Sequence, residues 1–201
     1  TARSRGLGDV YKRQAHNTVI APPGAELLVR DARLQNYRIN GILQSRSAPA
    51  VYEDVEVVSG GLNDAGFVDS ADGHLTLTDV TLRGNTFTHA PLRCIDGGTL
   101  VLEGVAVTDN LGNDEAGGVF ASDCTVSITD SVFEANRSVH GAGALWMEGS
   151  PLTLSGVTFT DNQGAAAAVV TDSPLSCEGV SFAGNSPTDL STSSESDCSS
   201  R

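Results

Sequence analysis

The chain has 201 residues, 39% of them hydrophobic and only 5% aromatic, which suits one domain built from many small repeated contacts. Its formal net charge of −13 repels nucleic acid and anionic membranes, and no window approaches the roughly 18 consecutive apolar residues that a membrane span needs. Frequent Gly (22 residues) and short β-branched runs predict an all-β protein.

Three segments follow one another along the chain. Residues 1–14 share no pattern with the rest and resemble adapter-derived sequence, so we exclude them from the fold as a non-native or disordered leader. Residues 15–186 contain the repeats described below. Residues 187–201 are rich in Ser and poor in apolar residues, which predicts a disordered linker or tail.

An internal repeat of 23–26 residues organises the middle segment. Each copy reads apolar-x-apolar, a two-residue corner, apolar-x-apolar and a turn, which is typical of two short strands bent against each other. Weaker copies at Leu27–Tyr37 and Ala50–Gly60 precede five clear ones. The five clear copies end at Asn85, Asn110, Asn136, Asn162 and Asn185. The repeat predicts about seven coils.

The corner before the second strand is always Asp or Gly. A sharp bend often requires positive φ, which Gly adopts freely and Asp tolerates better than most residues. The corner residues are Asp31, Asp54, Asp79, Gly104, Asp130, Gly156 and Gly179.

A third strand is expected after each Asn turn, which closes a triangular coil. Coils that stack with the parallel-strand spacing of about 4.8 Å form a right-handed parallel β-helix with three strands per coil. We expect the Asn side chains to hydrogen-bond along the stack and to the backbone of each turn. One predicted interior ladder contains Leu77, Leu102, Ile128, Leu154 and Cys177, and another contains Leu82, Val107, Phe133, Phe159 and Phe182.

The repeats resemble those of the chlamydial polymorphic outer membrane proteins. The Phe-x-x-Asn motif of that family occurs at 133–136, 159–162 and 182–185, and its Gly-Gly-Ala-Leu motif occurs in variant form at 117–120 and 143–145. The resemblance covers about residues 75–185. It implies a β-helix and, less directly, an exported passenger or adhesin segment.

Two aromatic residues are candidates for ligand binding. Aligning the predicted third strands places Phe120 and Trp146 in one column with Asp69, Cys94 and Val169. If this column faces outward, the two rings form a strip on which sugars stack, and if it faces inward they are core. Arg93 in the neighbouring column favours the core, whereas Asp69 favours the surface.

Two histidines follow their Asn residues at the same distance. His89 and His140, with Asp114 at the matching place between them, line one edge, but the stack separates the two His by about 10 Å. Ligand atoms around one zinc ion lie about 2 Å from it, so we predict no metal site.

An acidic edge is expected where another column contains Asp72, Asp123 and Asp172, with Asp96 and Glu148 one position earlier. We interpret these acids as solvated turn residues and predict no catalytic residue and no cofactor. As alternatives, the edge binds calcium, or Asp96, Asp123 and Glu148 act as acid and base in a carbohydrate-active enzyme, a polysaccharide lyase or glycoside hydrolase.

The four Cys allow three pairings. Cys177 and Cys198 form the candidate disulfide, which would pin the tail across the last coil. Cys94 and Cys124 are offset by four positions in adjacent coils, or about 13 Å along a straight strand, so we predict free buried thiols there.

These features predict a secreted or cell-surface scaffold that binds glycans or the surface proteins of a host or neighbouring cell. Neither nucleic acid nor a membrane span is expected. The end coils of a solenoid expose unpaired strand edges, so self-association edge to edge is a further possibility.

Overall fold

The computed structural model describes residues 19–21, 26–35, 38–39, 43–46, 49–62, 68–193 and 198; the predicted leader, residues 1–14, lies outside these residues. The described elements are all β-strands. The strands of the first half are β1 (Val19–Ala21), β2 (Leu27–Gln35), β3 (Arg38–Ile39), β4 (Leu43–Arg46), β5 (Ala50–Val58), β6 (Gly61–Leu62), β7 (Val68–Thr78), β8 (Thr81–Arg83), β9 (Thr86–Phe87), β10 (Leu92–Glu103), β11 (Ala106–Thr108) and β12 (Leu111–Gly112). The strands of the second half are β13 (Val119–Ser122), β14 (Thr125–Thr129), β15 (Val132–Glu134), β16 (Arg137–Ser138), β17 (Leu145–Glu148), β18 (Leu152–Ser155), β19 (Thr158–Thr160), β20 (Val169–Thr171), β21 (Leu175–Glu178), β22 (Ser181–Ala183) and β23 (Leu190–Thr192).

The strands stack in register as parallel columns. The first sheet runs through β2, β5, β7, β10, β14, β18 and β21, with Leu100 beside Leu75 and Val126. The second sheet runs through the ends of β2 and β5 and then β8, β11, β15, β19 and β22. The third sheet joins β1, β4, the first halves of β7 and β10, and then β13, β17, β20 and β23. A narrow ladder, β3, β6, β9, β12 and β16, follows the second sheet.

The core fills the space enclosed by the three sheets. Side chains alternate in and out along each strand, because successive residues of a strand point to opposite faces. Leu77, Leu102 and Leu154 are at most 1% exposed. The ring of Phe159 lies between two other phenylalanines, with centroids 5.3 Å from Phe133 and 5.1 Å from Phe182.

This arrangement confirms the predicted all-β parallel solenoid with three strands per coil. Six complete turns separate Leu27 from Leu175 in the first sheet, slightly fewer than the seven coils expected.

The prediction of free thiols at Cys94 and Cys124 is wrong. The two residues form a disulfide with their Cα atoms 6.2 Å apart. The 13 Å estimate assumed a straight strand, but the chain turns a corner between the two positions, at Asp96 in one coil and Asp123 in the next, both with positive φ. Cys94 before the corner therefore faces Cys124 after it. Cys177 and Cys198 also form a disulfide, with Cα atoms 5.1 Å apart.

The beginning of the predicted linker is ordered as part of the solenoid. Strand β23 pairs in parallel with β20, Leu190 beside Val169. Leu190 and Cys198 pack against the core. An apolar-poor segment joins the fold here because the previous coil supplies backbone hydrogen-bond partners, which do not depend on side-chain hydrophobicity.

Candidate functional site

The Asn column forms a continuous amide ladder. In each of Asn85, Asn110, Asn136 and Asn162, Nδ2 donates to Oδ1 of the next Asn at 2.9–3.1 Å and to a backbone carbonyl of the preceding coil. Each Oδ1 of the last three also accepts the backbone N–H of the Asn before it. These four are at most 1% exposed, so the ladder satisfies polar groups that the turn would otherwise bury unpaired.

All seven first-corner residues have positive φ, between 48° and 64°. Asp and Gly are also paired vertically: a Cβ added to Gly104 would lie 2.5 Å from Oδ1 of Asp79, and one added to Gly156 would lie 2.5 Å from Oδ1 of Asp130. Gly suits these two corners chiefly through its backbone conformation, since Asp54 and Asp79 also lie one coil above an Asp.

Three acids of the predicted acidic edge, two of them the possible catalytic residues Asp96 and Asp123, occupy a third corner, between the third and first sheets. Asp72, Asp96 and Asp123 have φ of 53°, 61° and 58°, and Gly149 takes the same role in the next coil with φ of 55°. All three carboxylates are exposed. Their positions are explained by the tolerance of Asp for the left-handed region. A second corner, just before the Asn column, also has positive φ, but there Ser59 and Ala135 occur beside Asp109 and Asp161.

Glu148 and Asp172 differ from these corner acids. Glu148 lies at the end of β17 and Asp172 directly follows β20. Partial burial raises the pKa of Glu148, and the carboxylates of Asp172, Glu115 and Asp123 raise it further. Hydrogen bonds from the Ser173 hydroxyl and the Gly149 N–H lower the pKa of Asp172. Two neighbouring carboxyl groups thus have pKa values shifted in opposite directions.

The column of Phe120 and Trp146 contains different neighbours from those predicted. Phe120 pairs with Arg93 and Trp146, and Trp146 pairs with Val170. Cys94 and Val169 belong to the inward column, one residue away. Asp69, Phe120 and Trp146 share one column as predicted, but the prediction for Cys94 and Val169 was wrong by one residue. The third strands are hard to align because the preceding turns vary in length: strand β10 begins seven residues after its Asn and β13 nine.

Neither predicted alternative describes the two aromatic residues fully. They point away from the solenoid core but lie in a second apolar cluster with Ala90, Ala116 and Ala142 from the turns. Phe120 is 8% exposed, whereas Trp146 is partly exposed and meets the Phe120 ring edge-on at 6.3 Å. Only Trp146 of the pair therefore offers surface to a ligand.

Glu115 links Arg93 to the turn at the edge of this cluster, and no motif of the repeat points to it. Its carboxylate accepts two hydrogen bonds from the Arg93 guanidinium, at 2.9 and 3.0 Å, and one from the Ala90 N–H at 3.3 Å. The Arg93 Cζ atom lies 5.8 Å from the centroid of the Phe120 ring, a cation–π distance. We call the outward side chains of Arg93, Phe120, Trp146, Glu148 and Asp172 the outer face.

The two histidines have separate surroundings. Nδ1 of His89 lies 3.5 Å from Oε1 of Glu115, and His140 is exposed. Among the described residues, no group of three or more His, Cys, Asp or Glu could hold a metal ion. Nor do these residues include a helix long and apolar enough to cross a membrane.

Comparison with known families gives one match, to the model of the right-handed β-helix region, over residues 19–186. No curated protein matches the chain. The family match covers most of the stacked strands and corners described above. The chain therefore belongs to the right-handed β-helix family.

Proposed function

We propose that this chain is an exported, non-catalytic β-helix that serves as an extended binding scaffold at a cell surface or outside the cell. The main observation behind the proposal is that the recurrent polar residues of each coil stabilise its backbone, through hydrogen bonds and through corner conformations. Asn fills the ladder, and Asp or Gly fills the first corner of every repeat. The repeat therefore explains the corner acids without a reaction.

Export is supported by the cysteines. All four are paired in two disulfides, which persist in oxidising compartments and are rare in the cytosol. A rod with many short coils also offers a long surface for few residues, which suits adhesion or spacing at a cell surface.

Trp146 on the outer face is the proposed contact for a glycan. Its ring is partly exposed beside Glu148, and an indole with neighbouring carboxylates can stack on a sugar and accept its hydroxyl hydrogen bonds. Phe120 supports Trp146 from below rather than contacting the ligand itself.

The resemblance to the chlamydial polymorphic outer membrane proteins adds a finer proposal, that the chain is a passenger or adhesin segment. Both residues of the shared motif have a structural role: Phe133 stacks in the core, and Asn136, three residues later in the same coil, joins the amide ladder. A motif that builds the coil is expected in many such scaffolds, so the biological role needs its own test.

Binding of the full chain to an array of neutral, amino and acidic glycans, and to intact cells, tests the proposal. We expect Trp146→Ala to abolish binding while the circular dichroism spectrum stays that of the parent. Val132→Ala, which removes a 38% exposed apolar side chain from the second sheet, is the matched control and should bind normally. Absence of binding to every glycan and cell type would refute the proposal.

A second candidate, a carbohydrate-active enzyme, is favoured by the carboxyl pair on the outer face. The pKa of Glu148 is raised and that of Asp172 is lowered, as an acid and a base require. Such an enzyme would release reducing ends or unsaturated sugars from a polysaccharide, and Glu148→Gln would stop the release. Product formation that Glu148→Gln abolishes would replace the non-catalytic proposal.

A further inference from the structure

The last coil differs from the coils beneath it in how well its core residues are covered. Leu154, Val157 and Phe159 are at most 1% exposed, whereas Cys177 and Phe182 in the next coil are partly exposed. Strands β21, β22 and β23 each pair along one edge only within the described residues. The C-terminal end of the solenoid thus carries the same apolar rows and backbone edge that join any two coils.

Residues 187–193 together with Cys198 are here called the C-terminal cap; strand β23 within them forms the third side of the last coil. Leu190 and Cys198 pack on the core, and the Cys177–Cys198 disulfide ties the cap to the last strand of the first sheet. The backbone joins the third sheet through hydrogen bonds from the N–H groups of Ala168 and Val169 to the carbonyls of Thr188 and Asp189.

Asp189 ends the amide ladder. Each earlier Asn donates to an Asn one coil later, 23–26 residues along the chain, but Nδ2 of Asn185 donates to Oδ1 of Asp189, only four residues away. An ionised carboxylate accepts hydrogen bonds and donates none, so it satisfies Asn185 without passing a donor to a further coil. The amide ladder therefore ends at Asp189, a residue of the cap.

We propose that the C-terminal cap covers an interaction surface, the end rung formed by β21 and β22, and that this rung binds a second copy of the chain when the cap is displaced. The occupant follows from continuity with the interface between coils. Another coil of the same repeat supplies in-register backbone groups and apolar rows together. Because each copy carries a net charge of −13, screening by salt strengthens the association.

The test compares a cap variant of the full chain, Cys177→Ala/Cys198→Ser/Asp189→Ala, with the parent by sedimentation velocity over a wide range of protein concentration. We expect the weight-average mass of the variant to at least double as concentration rises, more so at high salt, while the parent stays monomeric. Hydrogen exchange of residues 188–193 reports in parallel whether the cap has opened.

Two further variants separate specific pairing from general destabilisation. Cys94→Ser/Cys124→Ser removes the interior disulfide, leaves the cap in place and should remain monomeric. Adding Phe182→Glu to the cap variant places a charge on the end rung and should restore the monomer. The proposal is overturned if the cap variant stays monomeric, whether its cap opens or not, or if Phe182→Glu leaves the association unchanged.

Discussion

Replacing Asn136 by Ala should destabilise the protein severely, because this side chain joins three coils. Its Nδ2 donates to the Val107 carbonyl at 2.6 Å and to Oδ1 of Asn162 at 3.1 Å. Its Oδ1 accepts both the backbone N–H and the Nδ2 of Asn110, each at 3.1 Å. At about 1 kcal/mol net for each of four hydrogen bonds, the expected loss is about 4 kcal/mol.

Urea unfolding followed by the fluorescence of Trp146, the only Trp of the chain, measures this loss. Asn113→Ala is the matched control: that amide is exposed and donates to Oδ1 of Asp114, so its removal should change the free energy of unfolding by less than about 0.5 kcal/mol. A loss below about 1 kcal/mol for Asn136→Ala would refute the ladder as a source of stability.

Three other changes test separate parts of the structure. Gly156→Ala and Gly179→Ala should cost similar free energies of unfolding, because both need positive φ and the Asp130 oxygen near Gly156 belongs to an exposed side chain that can rotate away; a loss in urea titrations for either variant as small as that of Asn113→Ala would contradict the role of the corner conformation. Cys94→Ser/Cys124→Ser should lower the free energy of unfolding by about 3–4 kcal/mol, as expected for a 30-residue separation, and an unchanged melting temperature would count against it. Because the pKa of Glu148 is raised in the folded protein, folding favours its protonated carboxyl group. The stability that this group contributes is complete below the pKa of the unfolded state and is lost as the pH rises through the pKa of the folded state. Glu148→Gln should therefore raise the melting temperature at neutral pH and leave it unchanged at acidic pH, and a melting temperature that falls at neutral pH would reverse the sign of this argument.

Much of the solenoid could be predicted because its signals are local and repeated. An Asp or Gly at the first corner of every repeat reports a backbone conformation that few residues tolerate, and its seven occurrences leave little freedom of interpretation. The apolar alternation then fixes which side chains face inward, as at Leu102 and Leu154.

The outer face could not be predicted in the same way, because it depends on turns of unequal length. The turns before β10 and β13 differ by two residues, so the third strands cannot be aligned by counting, and Cys94 was assigned one residue away from its true column. The disulfide between Cys94 and Cys124 was missed for a related reason. The distance between two residues on either side of a corner is shorter than the strand rise per residue predicts. Glu115 lies in such a turn, and only the fold brings it to Arg93.

A crystal structure of the chain is the most direct measurement of stacking in register. It should show the side-chain amides of Asn110, Asn136 and Asn162 one above another, with Nδ2 to Oδ1 distances near 3.1 Å. A structure in which Asn136 lies outside hydrogen-bond distance of the other two would contradict the parallel β-helix described above.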